Sequence, residues 1–293
     1  MVMGASVDED DVVALWPRPL AEDDKYSRGV VGVVAGSDAY PGAAVLCVSG
    51  AARAGAGMVR YVGPRRAQDL VLATRPETVV HADADAVDRL PRAQAWTVGS
   101  GVADDAGQEA VIGAVLASGV PCVVDAGALE DCARARHSGS RRTPPDRVLM
   151  TPHEGELVRA LGAIRHDVTA ADVRHDRAGH ARLLAEITRA TVLLKGSRTL
   201  IASPGGSVRE LPVATPWLAT AGAGDVLAGI AGALLASGLD AADAGACAAW
   251  VHARAAAAAA GDDPLAPTGR GGPITAMDVA AAVPEVIRSL REP

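Results

Sequence analysis

Residues 29–57 read GVVGVVAGSDAYPGAAVLCVSGAARAGAG, and this stretch decides the fold. GVVGVVAGS (29–37) is an apolar, β-branched run closed by a glycine turn, the pattern of a buried strand. PGAAVLCVSGAARAGAG (41–57) follows, with Pro41 at a first helical position and a glycine-rich exit. MVRYVG (58–63) then reads as the next strand. The same order recurs along the chain. AWTVGSG, VPCVVDAGAL, RVLMTPHEGE and ATVLLKGSRT are apolar strands ending in Gly, Asp, His or Lys, with helix candidates GQEAVIGAVLASG and DRAGHARLLAEITRA between them. Strand, polar turn and helix in alternation predict an α/β fold, a central mostly parallel sheet flanked by helices on both faces.

The 293 residues suit one large α/β domain, and 49% are hydrophobic, enough for a substantial core. There is no Phe, so alanine and valine must fill the interior. A net charge of -7 argues against a nucleic-acid partner. The four cysteines form no CxxC pair, which predicts buried free thiols and neither a disulfide framework nor a zinc site. The acidic start MVMGASVDEDDVV is unlike a secretory signal, and VLAGIAGALLASGL falls short of a membrane span, so a soluble cytoplasmic protein with no membrane partner is expected. ARARHSGSRRTPPD (133–146) and GDDPLAPTGRGGP (261–273) are predicted surface loops, the second leading to a helix that starts near Thr275 with Asp278 in capping-box spacing.

Ligands of parallel sheets bind at the carboxyl ends of the strands. The turns there hold Gly36 and Ser37, Gly99 to Gly101, Asp125, His153 and Glu154, and Lys195 to Thr199, which should converge on one rim. TAGAGDVLAGI (220–230) sharpens the chemistry. Gly222 and Gly224 allow several backbone amides to point into one concavity at a helix N-terminus, where anions are favoured. Asp225 in that place is either an ordinary cap or a base beside a phosphoryl-binding hole. LLKGSRT suits contacts with a nucleotide phosphate or ribose, although it is not a Walker motif. In MTPHEGEL, Thr151 or Glu154 reads as a helix cap, and His153 as a polar residue without a metal partner.

Taken together and in order, KYSRGVVGVVAGSDAYPGAAVLCVSGAARAGAGMVR, TVGSGV, VVDAGAL, LMTPHEGEL, VLLKGSRTLIA and ATAGAGDVLAGIAGALLASG resemble the ADP-dependent NAD(P)H-hydrate dehydratases of the ribokinase-like superfamily, which also form the carboxyl-terminal half of some bifunctional nicotinamide-repair proteins. The resemblance runs from about Lys25 to about Leu290, leaving residues 1–24 as an N-terminal extension to a single 25–293 domain. It implies a sheet without the separate lid of the sugar kinases. It also implies dehydration of the S form of hydrated NADH or NADPH, with ADP (or ATP) as co-substrate and release of AMP and phosphate. The ring hydroxyl would be phosphorylated and then eliminated.

By the same resemblance Asp225 is the base, and Gly222, Ala223 and Gly224 stabilise the transferred group. Ala43, Gly101, His153 and Asp225 contact the hydrated cofactor. Lys195, Gly196, Ser197, Arg198, Thr199 and Gly224 hold the adenine nucleotide. Two departures matter. GSGV replaces the more usual GPGLG, so Gly99 and Gly101 both stand as the substrate contact. Ala223 replaces the usual Thr or Ser, which is harmless if the donor is an amide. Mg2+ is expected with the nucleotide, without a dedicated protein cage. A homo-oligomer, with a tetramer possible, is expected from the alanine-rich stretch 241–260, and a separate NAD(P)H-hydrate epimerase as functional partner. A ribokinase-like kinase of a vitamin or sugar, and a catalytically silent nucleotide-binding regulator, are the alternatives.

Overall fold

The computed structural model describes residues 5–102, 106–139, 143–263 and 266–290. Ten strands lie in one sheet: β1 (Ala5–Ser6), β2 (Val30–Val34), β3 (Met58–Val62), β4 (Val79–His81), β5 (Ala95–Val98), β6 (Cys122–Val124), β7 (Val148–Met150), β8 (Thr191–Leu194), β9 (Leu200–Ala202) and β10 (Val208–Glu210). Their order is β1-β10-β9-β8-β7-β6-β5-β2-β3-β4. Only β9 runs against the others among the described residues, pairing antiparallel with β8 and β10. The alternation read from sequence thus yields the expected mostly parallel sheet, while the β9–β10 edge escapes it.

Side chains alternate across the sheet, and the alternation assigns each to a helical layer. Val31, Val33, Tyr61, Val123, Leu149 and Leu193 face one cluster, and Val34, Val62, Val98, Val124, Met150 and Leu194 the other. Trp96 is accommodated because its neighbour across the β2–β5 register is Gly32, where a Cβ would lie 2.3 Å from the indole ring. The segment before Lys25 joins this core: Val7, Val12 and Trp16 are buried, and β1 pairs with β10.

Helices Gly42–Arg53 and Ala223–Ala236 pack main chain to main chain. A Cβ on Gly229 would lie 2.0 Å from the Cys47 carbonyl oxygen, and one on Gly50 2.3 Å from that of Val226. Only glycine permits that approach. It brings the N-terminal turns of both helices to the carboxyl edge of the sheet. Helix Ala241–Ala260 buries fourteen residues within this chain, so its alanines serve as core.

Several local expectations shift. Pro41 caps the helix that begins at Gly42 and is not its first residue. The predicted 133–146 loop is helical as far as His137, and residues 140–142 lie outside the described residues. In the 261–273 loop, residues 264 and 265 also lie outside them. The Thr275–Asp278 capping box forms as expected. All four cysteines are buried and free. Among the described residues, no helix is long and apolar enough to cross a membrane.

Candidate active site

The 220–230 segment folds as an open helix start. Gly222 takes a left-handed conformation, φ 84°, and caps helix Ala223–Ala236 with no side-chain hydrogen bond. Asp225 is therefore the third helical residue, and the cap alternative falls away. The Ala223 and Asp225 amides donate to Thr220 and Gly222 carbonyls at 3.4 and 3.1 Å. First-turn amides without a side-chain cap, together with the helix dipole, make an anion-binding end.

Asp225 is half-buried and its pKa is pushed up to about 7, first by burial and then by the negative charge of Asp125; Lys195 opposes the rise and Glu156 adds to it. A carboxyl poised there exchanges a proton readily near neutral pH.

Asp125, at the end of β6, is the hub beside it. Its Oδ2 accepts from Ser100 Oγ at 2.8 Å, and its Oδ1 accepts from Thr151 Oγ1 at 2.8 Å and Lys195 Nζ at 2.9 Å. The Lys195 ammonium also lies 3.4 Å from Glu156 Oε2. Burial draws the Lys195 pKa down, but the two carboxylates more than offset it, and it ends raised. Lys195 is thus a fixed cation beside Gly224, where a Cβ would lie 3.4 Å from Nζ.

His153, and neither Thr151 nor Glu154, caps helix Glu154–Gly162. Its Nδ1 accepts from the Gly155 amide at 3.0 Å, while Nε2 faces Glu156 Oε1 at 3.3 Å. That pattern sets the proton on Nε2 and fixes the ring. Glu156 Oε2 in turn accepts from the His153 amide at 2.8 Å, so one glutamate orients both His153 and Lys195.

The other predicted residues divide into two groups. Ala43 and Gly101 meet: a Cβ on Gly101, whose φ is +64°, would lie 2.3 Å from Ala43 Cβ. Gly99 faces elsewhere, against the Asp125 carbonyl oxygen, where a Cβ would lie at 2.1 Å. The KGSRT turn is stapled by Arg177, which donates to the Lys195 carbonyl at 3.0 Å and the Arg198 carbonyl at 2.8 Å and pairs with Glu154 at 3.0 Å. Gly196 lies beneath that guanidinium, and a Cβ there would come within 2.2 Å of it, so the arginine would have to shift. Ser197 is exposed, Thr199 is partly so, and the Arg198 guanidinium is turned to Glu210 at 2.7 Å.

Ser100 lies in the 99–101 turn expected at the rim, whereas Thr151 as a ligand of Asp125, Glu156, Arg177 and His252 were not legible as site residues. His252 is buried behind the Ala223 turn with no hydrogen-bond partner for Nε2. Burial pulls its pKa to about 4 against the Ala223 backbone, so the ring is neutral.

An α/β sheet whose carboxyl edge sets an uncapped glycine helix start beside a near-neutral carboxyl and a fixed lysine has the parts that phosphoryl transfer requires. Comparison narrows the reading. The family model described as NAD(P)H-hydrate dehydratase matches residues 31–268, and the chain belongs to that family. It is 47% identical over 252 residues to a bifunctional NAD(P)H-hydrate repair enzyme of Mycobacterium leprae, covering 86% of this chain and 50% of the relative. The chain thus spans about half the length of that relative. It is 35% identical over 246 residues to the ADP-dependent (S)-NAD(P)H-hydrate dehydratase of Neisseria meningitidis serogroup B, covering 82% of this chain and 80% of that one. The ADP/ATP-dependent NAD(P)H-hydrate dehydratase of Bacillus subtilis, co-crystallised with ATP/Mg2+, superposes with a TM-score of 0.85 at 27% identity, covering 99% of this chain and all of the other.

Proposed function

We propose that this chain is a hydro-lyase that restores NADH and NADPH from the S form of their hydrates, using ADP or ATP as phosphoryl donor. The observation that carries the reading is Asp225, raised to about 7 at an uncapped helix start, with Lys195 fixed alongside. Asp225 takes the proton of the ring hydroxyl as its oxygen attacks the terminal phosphorus of the nucleotide. With ADP the bond that breaks releases AMP. Gly222, Ala223 and Gly224 present backbone amides to the transferred group. Ala223 supplies the same N–H as Thr or Ser would, so the missing hydroxyl costs little. Phosphate then leaves the ring carbon with the bonding pair, helped by electron donation from the ring nitrogen. Loss of a proton from the neighbouring carbon re-forms the double bond.

Substrate is assigned to Ala43, Gly101 and His153, with Gly101 preferred over Gly99 because Gly101 faces Ala43. Adenine nucleotide is assigned to Lys195, Gly196, Ser197, Arg198, Thr199 and Gly224. Among the described residues, no group of three His, Cys, Asp or Glu side chains could hold a metal, and the nearby Asp125 and Glu156 are engaged by Lys195. Mg2+ is assigned to the phosphates of the nucleotide. Residues 25–293 are taken as the catalytic unit, with 1–24 as an extension whose described part, from residue 5, packs on it. We place the protein in the cytoplasm, working beside an NAD(P)H-hydrate epimerase. A homo-oligomer would use a surface other than helix 241–260.

The test is recovery of reduced-nicotinamide absorbance from hydrated NADH with ADP or ATP plus Mg2+. Nucleotide-dependent recovery is expected, and its loss in Asp225→Asn. No recovery by protein that still binds nucleotide would refute the proposal.

A further inference from the structure

A cavity of about 680 Å3 lies beyond the other ends of the two helices that build the site. It is bounded by Arg53, Ala54 and Gly55 after the first helix and by Ala233, Leu234 and Ser237 at the end of the second. At 1.5 Å per residue, the second helix separates it from Asp225 by roughly 12–18 Å. It is therefore a separate site.

Its charge is opposite to that of the protein. The chain carries -7, yet Arg18, Arg28, Arg53 and Arg288 line this cavity; among the described lining residues Asp23 is the one carboxylate, and Arg288 is ion-paired with Glu285 beside it. Part of that charge answers backbone. Arg28 donates to the Gly55 carbonyl at 2.9 Å, and Arg18 to that of Leu290 at 3.2 Å. Arg53 donates to the Ala281 carbonyl at 3.5 Å, and the donors left over are those of Arg28 and Arg53. Each guanidinium has five N–H donors. Arg28 and Arg53 have no ion-pair partner within 4 Å among the described residues, and the buried Nε of Arg53 has no hydrogen-bond partner. Asp23 is itself occupied, accepting from the Leu20 amide at 2.7 Å and from Ser27 Oγ at 2.9 Å. Two guanidinium groups facing one partly enclosed space favour an anion there. The remaining wall is apolar, from Trp16, Leu234, Pro284 and Ile287.

We propose that this cavity is a second ligand site, for a small organic anion that carries an apolar body. Guanidinium forks suit carboxylate, sulfonate or phosphate oxygens, and the Trp16–Ile287 wall takes the carbon skeleton. The ligand would bridge the N-terminal extension, the last helix and the ends of the two site helices.

The probe is 8-anilino-1-naphthalenesulfonate, an aromatic monosulfonate, titrated into the full chain with fluorescence detection. Saturable binding at one site per chain that weakens with added salt is expected. Hydrogen exchange of the wild-type protein should show protection confined to residues 16–28, 53–55 and 284–290. The Arg28→Gln/Arg53→Gln double variant should bind about tenfold more weakly, as expected for lost charge-assisted contacts, with nucleotide binding unchanged. Non-saturable binding, or protection centred on 36–43 and 220–225, would overturn the proposal. So would a folded double variant that binds as tightly as wild type. Should that variant fail to fold, the wild-type footprint alone decides.

Discussion

Replacing Asp225 by Asn should remove turnover and, above neutral pH, make the protein more stable. A carboxyl with a pKa near 7 in the fold and 3.8 outside it costs stability whenever it is ionised. The sign follows from proton uptake. Below pH 3.8 both states hold the proton and Asp225 is neutral in its effect. Between 3.8 and about 7 the unfolded chain releases the proton first, so stability falls as pH rises and levels off above 7. A difference of that size corresponds to about 4 kcal/mol, which solvent screening of a half-buried group reduces to roughly 2 kcal/mol. Asparagine keeps the shape and never ionises. Urea unfolding should therefore show near-equal stabilities at pH 4 and a gain of roughly 2 kcal/mol for Asp225→Asn at pH 8. Equal effects at both pH values, or a destabilised variant at pH 8, would refute the buried, near-neutral Asp225. In the wild type, the same group should make kcat/KM rise with pH and flatten above about 7.

Four further outcomes follow from the packing and the ion network. Lys195→Met leaves Asp125 buried without its cation, and should lower unfolding stability by about 3–5 kcal/mol at neutral pH. Gly229→Ala places a Cβ 2.0 Å from the Cys47 carbonyl oxygen and should cost about 1–3 kcal/mol or more with reduced kcat. Gly113→Ala, in an exposed helical turn with nothing within 4 Å, should instead stabilise by about 0.5–1 kcal/mol in thermal unfolding. Arg177→Met frees the turn at Gly196 and should raise the nucleotide KM about tenfold while moving kcat less, read by steady-state kinetics.

The strands were legible because buried parallel strands are continuous apolar runs, as in VVGVV and TVLL, closed by polar turns. The convergence of Asp125, His153, Lys195 and Asp225 was legible for the same reason, since each follows a strand or begins a helix at the carboxyl edge. What could not be read was partnership. Glu156 looks like any first-turn glutamate until tertiary packing brings Lys195 to it. Arg177 sits at the start of a helix eighteen residues from the carbonyl it holds. Short strands such as Ala5–Ser6 at the sheet edge and Val208–Glu210 beside it carry too few residues for a pattern, and their pairing is set by the sheet. Gly99 and Gly101 are alike in sequence, and only the position of Ala43 separates them.

The way Lys195 is held bears on how the proposed cycle would end. A transfer site with an unopposed lysine attracts free phosphate from a distance and is clogged by its own product. Here two carboxylates lie within 3.4 Å of the ammonium, so little positive field extends into solvent. What remains is short-ranged, a set of amides that grip a phosphoryl group only when it is already in place. Inorganic phosphate should accordingly be a weak competitor, and an abundant anion in the cell would not throttle the repair of a rare damaged cofactor.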